Sequence, residues 1–210
     1  MTYAGRLDPM AEGDMLVLTG EYCKQKDDYL GFDKTYILDI LLGISTDTGD
    51  MLGIVSNMNI GVYAEKEIQD AVSEIEKIKT LAYPEYSSKT IEGVPLWVSA
   101  RAGDAVVVPE KEVILSDVLL LSITYKKIHT LLDESYEIIR EVQGDFRQQA
   151  ILSAWQKIYE NYGDIEIPVV RIQVTASTGA YMRTLARRVG EMLQTPALAY
   201  HINRTKIWIK

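Results

Sequence analysis

Lys34-Thr35-Tyr36-Ile37-Leu38-Asp39-Ile40-Leu41-Leu42 alternates: Tyr36, Leu38, Ile40 and Leu42 fall on one face of an extended chain, Thr35, Ile37, Asp39 and Leu41 on the other. Successive side chains of a strand point to opposite sides, so this run predicts a strand. Working outward, residues 167–176 repeat the pattern, with Val170, Ile172 and Val174 on one side and Arg171, Gln173 and Thr175 on the other. Residues 14–19 (DMLVLT) and one or two segments within 112–125 also read as strands, and 206–210 as a short closing strand. The turn residues of 45–53 (STDTGDMLG) predict a loop. Between the strands the period changes. Ile68, Val72, Ile75 and Ile78 recur at helical spacing across 65–79. Residues 133–142 and 145–162 are also helical, the second with a core stripe of Phe146, Ile151, Trp155, Ile158 and Tyr162. Ser177-Thr178-Gly179 offers a turn and a cap for a helix from Tyr181 to Leu193, whose buried stripe is Leu185, Val189 and Leu193. Strands and helices follow one another without a regular strand–helix–strand rhythm, which predicts an α+β fold: a mixed, mostly antiparallel sheet with flanking helices.

The chain has 210 residues, 47% hydrophobic and 25% charged, a size and composition for one globular domain and not for a disordered or fibrous chain. The longest apolar runs, such as 118–121, fall far short of the roughly 20 residues a membrane span needs. The first ten residues carry Gly, Arg and Asp where a signal peptide would be apolar. Cys23 is the lone cysteine and there are two histidines, so neither an internal disulfide nor an ordinary zinc site is expected. These features predict a cytoplasmic protein without metal. The net charge of −8 is unevenly spread: residues 171–210 hold seven basic residues and one acid, leaving −14 on the first 170. Phosphate binding depends on local basic surface, so this asymmetry permits RNA without showing it; on charge alone a solvated arginine face is the commoner explanation.

Three places stand out for chemistry. Gly5-Arg6-Leu7-Asp8-Pro9 puts a carboxylate before a proline, between glycines at 5 and 13 that let the backbone bend; an Asp-Pro of this kind is usually only a turn. Gly179-Ala180-Tyr181-Met182-Arg183 delivers a tyrosine and an arginine to the start of a helix, where an arginine usually makes a surface ion pair. Tyr36, in the opening strand, is one of 13 tyrosines and by itself reads as structural.

In order, however, these pieces match a pattern. Gly5-x-Leu7-Asp8-Pro9-x-Ala11-x-Gly13, Lys34-Thr35-Tyr36, Thr46-Asp47-Thr48-x-Asp50-x-x-Gly53, Tyr83-Pro84-x-Tyr86-Ser87 with Ala100-Arg101-x-Gly103, Gly179-x-Tyr181-x-Arg183-Thr184-Leu185 and Ile202-Asn203-Arg204-Thr205 together resemble the TruB family of tRNA pseudouridine synthases. The resemblance implies the pseudouridine synthase fold, with a cleft across the sheet that binds RNA. It implies isomerisation of uridine to pseudouridine in the T-loop of tRNA, with base flipping and no cofactor. Asp8 would be the nucleophile, attacking ribose C1′ or pyrimidine C6, Arg183 its cationic partner and Tyr36 the ring that stacks on the uracil. Tyr181 and Ile202 would complete the pocket wall, and Arg187, Arg188, Arg204 and Lys206 would meet phosphates. tRNA is the implied partner, with no obligatory protein partner.

Two departures are visible. Relatives carry a strand, a helix and a Lys-Pro motif before the catalytic loop and many carry a PUA domain after it; here Asp8 lies seven residues from Met1 and Lys210 ends the chain, which reads either as a misplaced or fragmentary start or as a naturally shortened enzyme. The stretch 131–163 reads as a helical insertion, its Glu134, Glu137, Glu141 and Asp145 suiting packing better than RNA contact. The alternative reading is a catalytically weak RNA-binding or tRNA-folding protein of the same descent.

Overall fold

A computed structural model describes residues 1–104 and 107–209. In chain order its strands are β1 (Thr2–Ala4), β2 (Ala11–Gly13), β3 (Leu16–Leu18), β4 (Lys34–Leu42), β5 (Ile44–Thr46), β6 (Val55–Met58), β7 (Thr80–Ala82), β8 (Thr90–Ile91), β9 (Val94–Pro95), β10 (Glu110–Glu112), β11 (Leu115–Lys127), β12 (Glu166–Ala176) and β13 (Ala197–Ile207). Its α-helices are α1 (Glu65–Ser73), α2 (Leu96–Ala102), α3 (Ile128–Glu141), α4 (Gln148–Tyr162) and α5 (Met182–Met192). The main sheet runs β11-β12-β4-β13-β2. Every neighbour pair is antiparallel except β13 with β2, which is parallel. The sheet is therefore mixed and mostly antiparallel, as its alternating strands predict.

β4 lies at the centre, and its two faces enter two different cores. Leu38, Ile40 and Leu42 pack with Val170, Ile172 and Val174 of β12 and with Leu185 and Val189 of α5. Leu41 turns to the other side, where Ile128, Leu131 and Leu132 of α3 and Ile151 and Trp155 of α4 form the second core. Burying a Leu or Ile side chain stabilises a fold by roughly 1.5–3 kcal/mol, so helices cover both faces. A bulge between Ala199 and His201 resets the alternation of β13, which returns Ile202 to the same core as Ala199.

The structure shifts several expected boundaries. The strand expected over 14–19 is only β3, and residues 45–46 of the expected loop belong to β5. The helix expected over 65–79 ends at Ser73, with a 3₁₀ turn at Ile75–Lys77. α3 starts five residues before the helix expected at 133, and α4 starts at Gln148, leaving Phe146 in a loop. The expected cap Ser177-Thr178-Gly179 is not one: Tyr181 occupies the N-cap of α5 without a side-chain bond. The Ser177 hydroxyl instead accepts from the Ile114 amide at 2.9 Å, and Thr178 donates to the Leu30 carbonyl at 2.8 Å. The closing strand expected at 206–210 is the tail of the much longer β13, which ends at Ile207; Lys210 lies outside the described residues.

Candidate active site

Asp8 sits between β1 and β2, where the Ala11 amide donates to the Asp8 carbonyl at 2.9 Å and closes the turn started by Pro9. Gly13 brings β2 against β13: a Cβ there would lie 2.2 Å from the Arg204 carbonyl oxygen, so no other residue fits. Arg204 completes the anchoring. Its Nε donates to the Asp14 carbonyl at 2.6 Å and its Nη2 to the Gly5 carbonyl at 3.2 Å. Both ends of the Asp8 loop are thus tied to one side chain.

Arg183 stands in the first turn of α5 with its side chain 5% exposed. Nε and Nη2 donate to the two oxygens of Asp8 at 2.8 and 3.0 Å. This fork-on-fork pairing fixes the orientation of the carboxylate as well as its charge. Nη1 donates to the Thr48 carbonyl at 2.9 Å, and both terminal nitrogens reach the Tyr86 carbonyl at 3.3–3.4 Å. A second carboxylate, Asp50, lies 3.6 Å from Nε. Its Oδ1 accepts from the Thr48 hydroxyl at 2.8 Å and the Leu52 amide at 2.9 Å. Gly53 makes this 46–53 turn possible, because a Cβ there would lie 2.3 Å from the Thr48 hydroxyl. Burial pushes the Asp50 carboxyl up, with Arg183 opposing it. Burial works against the charge of Arg183 too, but Asp8 and Asp50 outweigh it and raise its pKa.

A cleft of about 980 Å³ opens beside this pair. Arg6, Leu7, Tyr181, Tyr86 and Trp97 line it, as do Val142, Asp145, Phe146 and Arg147 from the loop between α3 and α4. The 131–163 stretch therefore supplies more than packing. Asp145 accepts from Arg101 of α2 at 2.7 Å, and Arg147 donates to Asp47 at 2.8 Å while lying 4.4 Å over the ring of Tyr86.

Of the residues expected at the site, Asp8, Arg183 and Tyr181 line one cleft. Tyr36 is close enough for Asp8 and Arg204 to act on its phenol, whose pKa burial raises; it packs at the edge of the first core. Ile202 is a core residue, 4% exposed, paired across the sheet with Leu38. Arg204 was expected at a phosphate, but it is 1% exposed and donates from Nε and Nη2 to backbone carbonyls, so it braces the Asp8 loop instead. Arg187 and Arg188 are half-exposed on α5 beside Glu191, and Lys206 is exposed over the ring of Trp208. None of these three is among the residues lining the cleft. Asp50 and Tyr86 lie inside the motifs of the sequence but were not singled out; Phe146 was expected in the core stripe of α4 and instead lines the cleft, and nothing in the sequence marked Arg147. Among the described residues no cluster of His, Cys, Asp or Glu is arranged to hold a metal, and no helix is long and apolar enough to cross a membrane.

The family model described as TruB family pseudouridylate synthase (N terminal domain) matches residues 1–137. The tRNA pseudouridine synthase B of Caldicellulosiruptor saccharolyticus is 26% identical over 204 residues, covering 97% of this chain and 56% of that protein. That of Cupriavidus metallidurans is 28% identical, covering 98% and 52%, and that of Bacteroides fragilis 25% identical, covering 98% and 70%. The chain spans about half the length of the first two. Among solved structures, a Cbf5-Nop10-Gar1 complex superposes with a TM-score of 0.54 at 15% identity, over 98% of this chain and 40% of the other. The archaeal box H/ACA sRNP Nop10-Cbf5 complex gives 0.51 at 14%, over 98% and 38%. These likenesses show a shared fold.

Proposed function

The chain belongs to the TruB family of pseudouridylate synthases, and on that premise we propose that it converts a uridine of tRNA, in the T-loop, to pseudouridine with Asp8 as nucleophile. The observation that carries this reading is the forked Asp8–Arg183 pair at the wall of an open cleft. A stacked base cannot be reached inside RNA, so the target nucleotide is turned out of its stack into the cleft. The Asp8 carboxylate then bonds to ribose C1′, releasing the uracil as an anion, or to pyrimidine C6. On either route the C1′–N1 bond breaks, the base turns, C1′–C5 forms, C5 loses its proton and N1 gains one, and the carboxylate is regenerated. Nothing is oxidised or reduced and no co-reactant enters.

The surroundings suit that sequence. Arg183 orients the attacking oxygens, and when Asp8 loses its charge in a covalent bond, Asp50 still compensates the buried guanidinium. Tyr36 supplies a ring for the uracil, a contact worth roughly 1–3 kcal/mol. Burial raises its phenol, so it remains protonated at neutral pH and acts as ring and donor before it acts as base. Tyr181, held edge-on by Tyr83 at 5.7 Å, walls the same space.

The test is pseudouridine formation in an unmodified tRNA transcript by wild type beside Asp8→Asn. Conversion at the T-loop uridine by wild type alone supports the reaction and the nucleophile. Binding of the transcript without conversion by either protein favours the RNA-binding reading.

A further inference from the structure

The loop joining α3 to α4 takes no part in the chemistry above, yet it is fastened to the site at two points. On one side Asp145 accepts from Arg101 Nη2 at 2.7 Å, and its carbonyl accepts from Nη1 at 3.1 Å. On the other, Arg147 holds a left-handed backbone conformation, φ 63°, that residues bearing a Cβ rarely adopt. Its guanidinium uses an edge to donate to Asp47 at 2.8 Å and its face to cover Tyr86 at 4.4 Å, with four-fifths of the side chain buried. A planar guanidinium does both at once; a lysine ammonium cannot.

What Arg147 grips is specific. Asp47 precedes Thr48, whose carbonyl accepts from Arg183 at 2.9 Å, and the carbonyl of Tyr86 itself accepts from Arg183 at 3.3–3.4 Å. These two carbonyls belong to segments 38 residues apart in sequence. We infer that Arg147 is a positioning residue: by holding Asp47 and Tyr86 together it fixes the pair of carbonyls that aim Arg183 at Asp8. The inference rests on Asp8 being the reacting group. It gives the α3–α4 segment a part in catalysis without contact with the substrate.

The test compares Arg147→Gln and Arg147→Lys with wild type in single-turnover conversion of unmodified tRNA, together with RNA affinity and thermal midpoint. Arg147→Gln is expected to lower the saturating rate about tenfold while leaving affinity within about twofold, and Arg147→Lys to recover part of the rate. Weaker affinity at an unchanged saturating rate would make Arg147 a phosphate ligand and overturn the inference, as would an unchanged rate. Asp47→Asn breaks the same ion pair from the other side and serves if the Arg147 variants fold poorly; combined with Arg147→Gln it should cost no more than the larger single loss, and additive losses count against the idea. A readout independent of turnover is solvent exchange of the Arg183 Nε–H followed by NMR. It should quicken in Arg147→Gln; equal exchange overturns the inference even if the wild type proves to modify no RNA, a result that would separately refute the functional reading.

Discussion

The two walls of the cleft are built on different terms. On one, Arg183 and Asp50 have side chains 5% and 4% exposed, locked to each other, to Asp8 and to backbone carbonyls. On the other, Asp145 is 75% exposed against Arg101 at 35%, a surface pair that solvent screens. The first wall is held by its own polar network. The second is held from beneath, by the apolar faces of α3 and α4 against β4, β12 and β13, and it is tied to the first by the Arg147–Asp47 pair, whose side chains are 20% and 27% exposed.

The largest effect expected from this difference is on stability. Trp155 is fully buried, and its indole donates to the Met51 carbonyl at 3.1 Å. Trp155→Ala opens a cavity and orphans that carbonyl, costing about 3–5 kcal/mol, measurable by urea unfolding. If the variant kept wild-type stability, the second wall would not rest on its core. Next comes Arg183→Lys, which keeps the charge but loses the fork and the carbonyl bonds. Its expected cost is about 100-fold in kcat/KM, roughly 2.7 kcal/mol, with a much smaller change in RNA affinity. A loss confined to affinity would mean that Arg183 binds RNA instead of orienting Asp8.

The two walls also differ in how far they can be read without coordinates. β4 was legible because its hydrophobic alternation is local, and both of its faces are used. The first wall was partly legible because Asp8, Tyr181 and Arg183 sit in short motifs that name them. Arg204 misled, since an arginine in a basic segment suggests solvent, while its burial depends on carbonyls of Gly5 and Asp14, 199 and 190 residues away. Arg147 was invisible for the same reason: its partner Asp47 is 100 residues distant, and nothing at 142–147 announces a turn that will face a cleft. Local periodicity reports on cores; pairings made by the closed fold leave no such trace.

Acid separates the walls by sign. Asp50 is pushed up by burial, so below neutral pH the folded protein takes up its proton before the unfolded chain does. Its ionised form weighs on stability above the unfolded value near 3.8, and that burden lifts as pH falls through the raised folded value. Asp145 is held down chiefly by its hydrogen bond from Arg101; its contribution is present above 3.8 and is lost only below it. In thermal melts from pH 7 toward 4.5, Asp50→Asn should therefore lose ground relative to wild type, whereas Asp145→Asn should run parallel to it until pH drops below 4. Parallel curves for Asp50→Asn would mean that the carboxyl is not burdened by its burial.

The smallest effect belongs to a region outside both walls. Arg187 and Arg188 lie on α5 just beyond Arg183, each half-exposed and sharing Glu191 at 3.8 and 2.9 Å. Exposed pairs of this kind are screened, so alanine at either position should move stability by no more than about 0.5 kcal/mol. If these arginines meet RNA phosphates, each substitution lowers the salt dependence of tRNA binding by about one phosphate contact and leaves the saturating rate unchanged. That outcome is the inverse of the one expected for Arg183→Lys, although the residues share a helix and a charge. Burial decides between them: a guanidinium closed in by carbonyls and carboxylates has no donors left for phosphate, while one edged by a single glutamate in water has several. Equal losses of rate at Arg183, Arg187 and Arg188 would erase that distinction and make α5 a uniform RNA-binding face.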